Sequence, residues 1–451
     1  MTAHLLAAFQ TTSPAGSLLR LQALLGLFVI LGVGWALSTR RGSVPWRVVL
    51  WGMALQVAFA WLVLRTPAGI AFFQGVNAVV RAVLSYATEG GRFVFGNLVS
   101  DAVPVGWGDP GSGAFTPTPG VVAQSGAFFA FRILPNIIFV SCLMTVLYHL
   151  GVMQRVVRGV AWVMQRTLRT SGAETLDAAS SIFVGLMEAP LAVRPFVARM
   201  TESELMAVMT VGMATISGGV LAAYAAMLLP FQPDAAGHLI AASIMSAPAA
   251  FVLAKLMVPE TETPVTAGSL EGAAVEHPDV NVIDAAARGA AEGLRLALVV
   301  GAMLVAFIAL VSMANGALGW AGGLVGLEGL SLEGILGRAL VPVAWLLGIP
   351  WADAQVVGQL IGLEFVLNEF VAFARLESLL SAGTTLEPRS LVITIYALTS
   401  FANFGSVAMT IAGLGEMAPS RRHDLARLGL KAMFAGLLAT LLTAAVAGLI
   451  V

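Results

Sequence analysis

Charge is scarce in this chain: 11% of its 451 residues are Asp, Glu, Lys or Arg, against 58% hydrophobic. Soluble domains carry roughly 25% charged residues, so a water-soluble globule is excluded. The mean hydropathy of +0.89 points instead to a polytopic membrane protein. Cysteine is nearly absent. The single Cys142 lies in an apolar run, which excludes an intramolecular disulfide and any thiolate-rich metal site. Histidine is thin and scattered (His4, His149, His238, His277, His423), with no HxxxH-type spacing for a metal. Basic residues are almost all arginine and form no long run, so the sequence gives no footprint for nucleic acid. No basic region precedes the first apolar stretch, so Met1 to Gly16 reads as uncleaved and the first span as the insertion signal.

Two carboxylates stand out against this background. Glu188 interrupts an apolar stretch at Ser181–Pro190, and Glu369 does the same in Phe365–Phe370, about 180 residues later. Ionisable groups at membrane depth are costly and usually functional. Two in matching positions suggest a transporter built as a repeat.

A helix crosses the bilayer in about 20 apolar residues. On that rule Leu18–Leu37 and Trp46–Leu64 are spans. Residues 67–100 read as helices lying along an interface, and 101–124, rich in Gly, Pro, Asp and Thr, as an extramembrane loop. Phe131–Gly151 is a span, followed by an amphipathic helix over Val152–Arg169 that places Arg155, Arg158, Arg166 and Arg169 on one face with Trp162. The interrupted segment 172–198 and the spans Glu204–Pro230 and His238–Val258 complete a first unit, 131–258. A polar linker occupies 259–288.

A second unit, 289–451, repeats the order: a span at Gly289–Ala317, an apolar helix at Leu332–Gly348, an interrupted segment at 351–380, and spans at Ser390–Met417 and Asp424–Val451. Each unit has three full crossings, so the second must enter the membrane from the opposite side. The expectation is an all-α membrane protein with eight spans, an inverted repeat, two re-entrant hairpins and interfacial helices, behind an N-terminal scaffold at 1–130. Arginines after the first, third and seventh spans, and Lys255 and Arg288 around the linker, put those loops in the cytoplasm and both termini outside.

Polar residues recur inside two spans. Gly212–Gly219 reads GMATISGG, and Phe401–Ser406 contributes Asn403 and Ser406. Small and hydroxyl residues in mid-span favour either close packing or an unwound helix whose freed backbone binds ligand. Each copy pairs such a break with an acidic hairpin, which favours the second. Two acids, an amide and hydroxyls suit a neutral, polyhydroxylated solute, and Phe183, Phe370 and Phe401 could pack on a flat ring.

These motifs resemble the concentrative nucleoside transporter family over nearly the whole chain. The resemblance is carried by SIFVGLMEAPLAVRP (181–195), MTESELMAVMTVGMATISGGVLAAYAAM (200–227), NVIDAAARGAAEGLRLAL (281–298), LNEFVAF (367–373), SFANFGSVAMTIAGLG (400–415) and GVMQ at 151–154. It implies a trimer in the bacterial inner membrane, surrounded by lipid, in which a transport domain moves like an elevator against a scaffold. By that resemblance Glu188 faces the nucleobase, Glu369, Asn403 and Ser406 hold the ribose, and Phe401 and Val220 line the site. The coupling ion, with no other cofactor and no enzymatic step, is expected at Ser181, Val184, Thr215 and Ile216.

Three departures from the family pattern matter. Leu186-Met187 replaces a Gln-Thr pair, so base recognition is expected to differ or relax. Ser181 replaces an asparagine at the cation site, supplying a shorter oxygen. Glu364 stands where a lysine is common. Two nearby carboxylates oppose joint ionisation, which would suit a proton site at Glu364 and favours protons over sodium. The expectation is a cation-coupled nucleoside importer; the alternative is a same-fold carrier of a modified nucleoside or other ribose-bearing solute. A rhomboid-like protease is disfavoured because Gly-Ser-Gly (111–113) falls in a loop.

Overall fold

The computed structural model describes residues 14–99, 102–108, 115–124, 129–268, 279–324, 326–327 and 329–451. The Gly-Ser-Gly at 111–113, His4, His277 and linker residues 269–278 lie outside them. Among the described residues the regular structure is helical apart from one antiparallel hairpin. Helices α1 (Pro14–Ala36), α2 (Trp46–Arg65) and α3 (Pro67–Phe95) come first, then strands β1 (Ala102–Gly108) and β2 (Phe115–Gln124). These strands pair with an irregularity between Pro104 and Gly106, so part of the expected extramembrane loop is a β-hairpin. Where several helices were expected over 67–100 there is one. One long helix, α3, runs to Phe95 and is followed by a 3₁₀ turn at Gly96–Val99; the 33-residue stretch is long and apolar enough to cross a bilayer. Thr66 starts it, accepting from Gly69 N, with Pro67 following.

The first unit follows as α4 (Leu134–His149), α5 (Val152–Leu168), α6 (Gly172–Ser181), a 3₁₀ turn at Ala189–Val193, α7 (Arg194–Val197), α8 (Glu202–Ala214), α9 (Gly218–Leu228) and α10 (Ala235–Met257). The second is α11 (Val282–Leu324), α12 (Leu332–Leu346), α13 (Trp351–Val366), α14 (Glu369–Ser381), α15 (Pro388–Ala397), α16 (Phe404–Met417) and α17 (Arg422–Ile450). Among the described residues eight helices are long and apolar enough to span. They differ from the expected eight in one respect: 67–99 qualifies, whereas Ser390–Met417 is split into α15 and α16. Helices α12 and α13 meet at a bend of 116°.

Burial separates the helices into two layers. In the most apolar stretches of α8–α9 and α10, 89% of residues are buried, and in α17 78%. Helices apolar on every side belong in an interior. By contrast α3 and α11 are 17% buried over the same length and expose Leu298, Val305 and Met313, as lipid-facing helices do. α11 lies close along α4 because Gly289 and Gly293, one turn apart, leave no side chain in the way. A Cβ on them would meet the Cα of Cys142 at 2.9 Å and of Ile138 at 2.8 Å.

The arginine-bearing loops gather at one end. Thr39 N donates to Met257 O (2.9 Å), Arg47 to Thr167 O (3.1 Å), Arg421 to Met200 O, and Arg427 pairs with Glu202 (3.0 Å). At the opposite end Arg65 and Arg389 donate to the last carbonyls of α17, Ile450 O and Gly448 O. Cations belong at a helix C-terminus, so these two arginines stabilise the end of α17. α5 turns Val157, Ala161 and Met164 inward and leaves its arginines exposed, with Arg166 over the Trp162 ring at 5.7 Å.

Candidate functional site

Four interruptions of helix converge in the middle of the fold. α6 ends at Ser181, and the chain turns at Gly185, whose φ of +104° is a conformation that side chains rarely adopt. A Cβ there would also stand 2.8 Å from Ser217 Cβ, so glycine lets the hairpin tip press on the second interruption, between α8 and α9. Thr215 and Ser217 are extended there, and Gly218 N donates to Phe183 O at 2.9 Å. The third lies between α13 and α14, where Asn368 is extended and its Oδ1 accepts from Val371 N (2.9 Å). The fourth, residues 398–403, ends at Asn403, whose Oδ1 accepts from Ser406 N (3.0 Å) and Ser406 Oγ (3.2 Å). Phe401 N donates to Met213 O at 2.7 Å and ties the fourth interruption to the second.

Glu369 occupies the first turn of α14, where the helix dipole favours a carboxylate. Its Oε1 accepts from Tyr224 OH (3.0 Å) and its Oε2 from Asn403 Nδ2 (3.2 Å). Tyr224 is fixed by stacking on Phe373, centroids 4.2 Å apart, and by an edge contact with Phe370 at 4.7 Å. The sequence-predicted ribose group of Glu369, Asn403 and Ser406 is therefore one hydrogen-bonded cluster, with Phe401 half-buried beside it. Val220 is buried in α9 one turn before Tyr224.

Glu188 lies at the other side of the meeting point. It precedes the Ala189–Val193 turn and is exposed, with Oε2 close to Gly185. The two residues before it go different ways. Leu186 is 8% exposed and packs on Gly212 of α8; Met187 is 39% exposed and its Cε packs on Gly413 of α16. Thus Met187 bridges the first hairpin to the helix that Asn403 caps. Glu364 is fully buried in α13; Oε1 accepts from Ser400 Oγ at 2.5 Å and Oε2 has no hydrogen-bond donor.

At the expected cation position Ser181 Oγ is buried without a hydrogen bond, and Thr215 Oγ1 donates to Val211 O (2.9 Å), leaving its lone pairs free. Val184 is half-buried and Ile216 fully buried at the two interruptions. An orphaned hydroxyl oxygen beside unwound backbone is a donor set that fits a hard monovalent cation.

Tyr224, Asn368 and Ser400 escaped the sequence reading. Tyr224 stands in a run of alanines, and only the pairing of α9 with α14 reveals its partner. Asn368 had a legible signal, since an asparagine before a helical run is a standard cap.

Broken helices whose N-termini and acidic tips meet between buried spans define a multi-pass membrane transporter, not an enzyme. Comparison with known proteins is specific. Residues 238–448 match the family described as Na+ dependent nucleoside transporter C-terminus, 25–98 its N-terminus, and 130–231 the nucleoside recognition gate. The chain is 43% identical to the uncharacterized transporter YutK of Bacillus subtilis, covering 96% of this chain and 99% of that one. It is 40% identical to the nucleoside permease NupC of Helicobacter pylori, covering 95% and 97%. A solved structure, CNTnw in an inward-facing substrate-bound state, superposes with a TM-score of 0.84 at 42% identity over 96% of this chain and 98% of that one. The chain belongs to the concentrative nucleoside transporter family.

Proposed function

We propose that this protein imports nucleosides across the bacterial inner membrane by cation-coupled symport. The observation that carries the reading is the Glu369–Tyr224–Asn403–Ser406 cluster. It presents a carboxylate, an amide and a hydroxyl in one place, the donors and acceptors that a ribose diol requires. Relatives support the solute: NupC is a nucleoside permease, and the mouse protein at 40% identity is a sodium/nucleoside cotransporter.

In this reading Glu188, Leu186 and Met187 meet the base, and Phe401 and Val220 line the site. Ser181, Val184, Thr215 and Ile216 bind the coupling ion. Segments 172–198 and 351–380 are re-entrant hairpins of inverted units 131–258 and 289–451, joined by the cytoplasmic linker 259–288 behind a scaffold at 1–130. Both termini lie outside, and three copies form a trimer in which the hairpins move together between the two faces. Sodium is the favoured ion, because the relatives' names specify it and Ser181 Oγ lacks a partner. Proton coupling is the second reading, favoured by the donor-free Oε2 of the fully buried Glu364.

The test is a competition panel. Uptake of labelled uridine and adenosine into proteoliposomes is challenged with nucleosides, free bases and ribose. Competition by nucleosides alone is expected. Competition by none of them overturns the reading, and competition only by a modified nucleoside selects the alternative.

A further inference from the structure

We propose that Asp177 is an anionic ligand of the coupling cation, so that the first hairpin carries a charged cation site below the neutral oxygens at its tip. This rests on the cation-coupled reading above. Asp177 lies in α6 and is 0% exposed, and neither carboxylate oxygen has a hydrogen-bond donor. Ser181 follows one helical turn later on the same face, 1% exposed, its Oγ also without a partner. Residues four apart on a helix are neighbours, so a single ion can draw on both side chains.

The charges packed around α6 do not neutralise Asp177. On its own helix Glu174 lies one turn before it. From α10 comes Lys255, whose Nζ is held by Glu174 at 2.7 Å and Glu260 at 3.4 Å. From α8 comes Glu204, which accepts from Ser171 Oγ (2.5 Å) and Thr201 N (2.9 Å). The buried face of α5 carries no charge, its one polar residue being Gln154, its arginines are exposed, and the Ala189–Val193 turn carries no charge. Lys255 is thus taken by Glu174 and Glu260, Glu204 is held by neutral donors, and of these four carboxylates Asp177 is the one with no donor at all. A buried carboxylate is not kept without a partner unless it binds a cation or changes protonation state. The orphaned Ser181 oxygen beside it favours a bound metal ion, and Na+ is the monovalent ion of matching hardness.

The experiment uses the full-length purified protein and Na+ itself as the probe. Melting temperature in detergent is measured across a NaCl series balanced with choline chloride, for the wild type and for Asp177→Asn and Asp177→Ser. Na+-dependent uptake of a nucleoside is measured in parallel. Sodium should stabilise the wild type, and both variants should elute as the wild type does yet need roughly 10- to 100-fold more Na+ for the same shift and the same half-maximal uptake. Wild-type Na+ dependence in either folded variant overturns the proposal. So does a wild type that responds to pH alone and keeps that response in both variants. A wild type that takes up no nucleoside under any gradient marks failure of the transport reading itself. If Asp177→Asn does not fold, Asp177→Ser, which keeps an oxygen in a smaller side chain, decides the matter.

Discussion

Asn403 Nδ2 donates to Glu369 Oε2 at 3.2 Å, joining the N-terminal ends of two separate helices, α16 and α14. The orientation of the amide is fixed, because Asn403 Oδ1 is already used to cap its own helix through Ser406 N. Tyr224 holds the other oxygen of Glu369. Each carboxylate oxygen has one acceptor direction occupied by these donors, which leaves further lone pairs that could accept from a ligand.

Replacing Glu369 with glutamine puts an amide between two donors, Tyr224 OH and Asn403 Nδ2. The one remaining carbonyl oxygen can accept from only one of them, so one charge-assisted bond of about 1.5–3 kcal/mol is lost, and nucleoside uptake should fall by an order of magnitude or more. The protein should elute unchanged in gel filtration. Normal uptake by Glu369→Gln would refute the ribose role.

Tyr224→Phe keeps the ring on Phe373 and removes only the hydroxyl. The half-saturating nucleoside concentration should rise roughly tenfold, about the worth of one hydrogen bond to a charged group. Uptake kinetics with a parallel thermal melt check this; a changed melt with unchanged uptake would make Tyr224 a packing residue only.

Leu186 and Met187 split their contacts between Gly212 and Gly413. Installing Gln and Thr at these positions gives hydrogen-bonding groups beside Glu188 where a base edge would lie. The order of preference among purine and pyrimidine nucleosides should change in competition assays, and an unchanged order would remove these residues from base selection.

Gly185→Ala meets a positive φ and Ser217 Cβ at 2.8 Å. A strained backbone of this kind costs about 1–3 kcal/mol. Lower thermal stability in detergent and impaired uptake are expected together; a neutral substitution would mean that the hairpin tip does not press on the break between α8 and α9.

Much of this was legible in the sequence, for physical reasons. Long apolar runs dictate buried or lipid-facing helices, and Glu188 and Glu369 are conspicuous because acids are rare among such runs. Gly and Asn in mid-span marked the interruptions at 215–217 and 398–403. The partner of each acid was not legible. Tyr224 is 145 residues from Glu369 and Ser400 is 36 from Glu364, so only tertiary packing brings them together. That residues 67–95 form a single helix was not legible, because Arg81, Glu89 and Arg92 interrupt the apolar run. In the fold Glu89 and Arg92 pair at 3.2 Å on an exposed face, and the helix runs unbroken to Phe95, where Gly96 ends it. Asp177 was passed over in favour of Glu188 and Glu364, since its lack of a donor is a property of the packed helices around it.

Gradient-driven accumulation tests cation-coupled nucleoside symport most directly. Proteoliposomes are loaded with choline buffer, diluted into NaCl or into acidic choline buffer, and labelled uridine and adenosine are followed with time. Accumulation above the external concentration is expected under an inward Na+ gradient and should collapse when the gradient is dissipated. Accumulation under the pH gradient alone would transfer the coupling role to protons at Glu364. No accumulation of any nucleoside under either gradient would contradict the assignment.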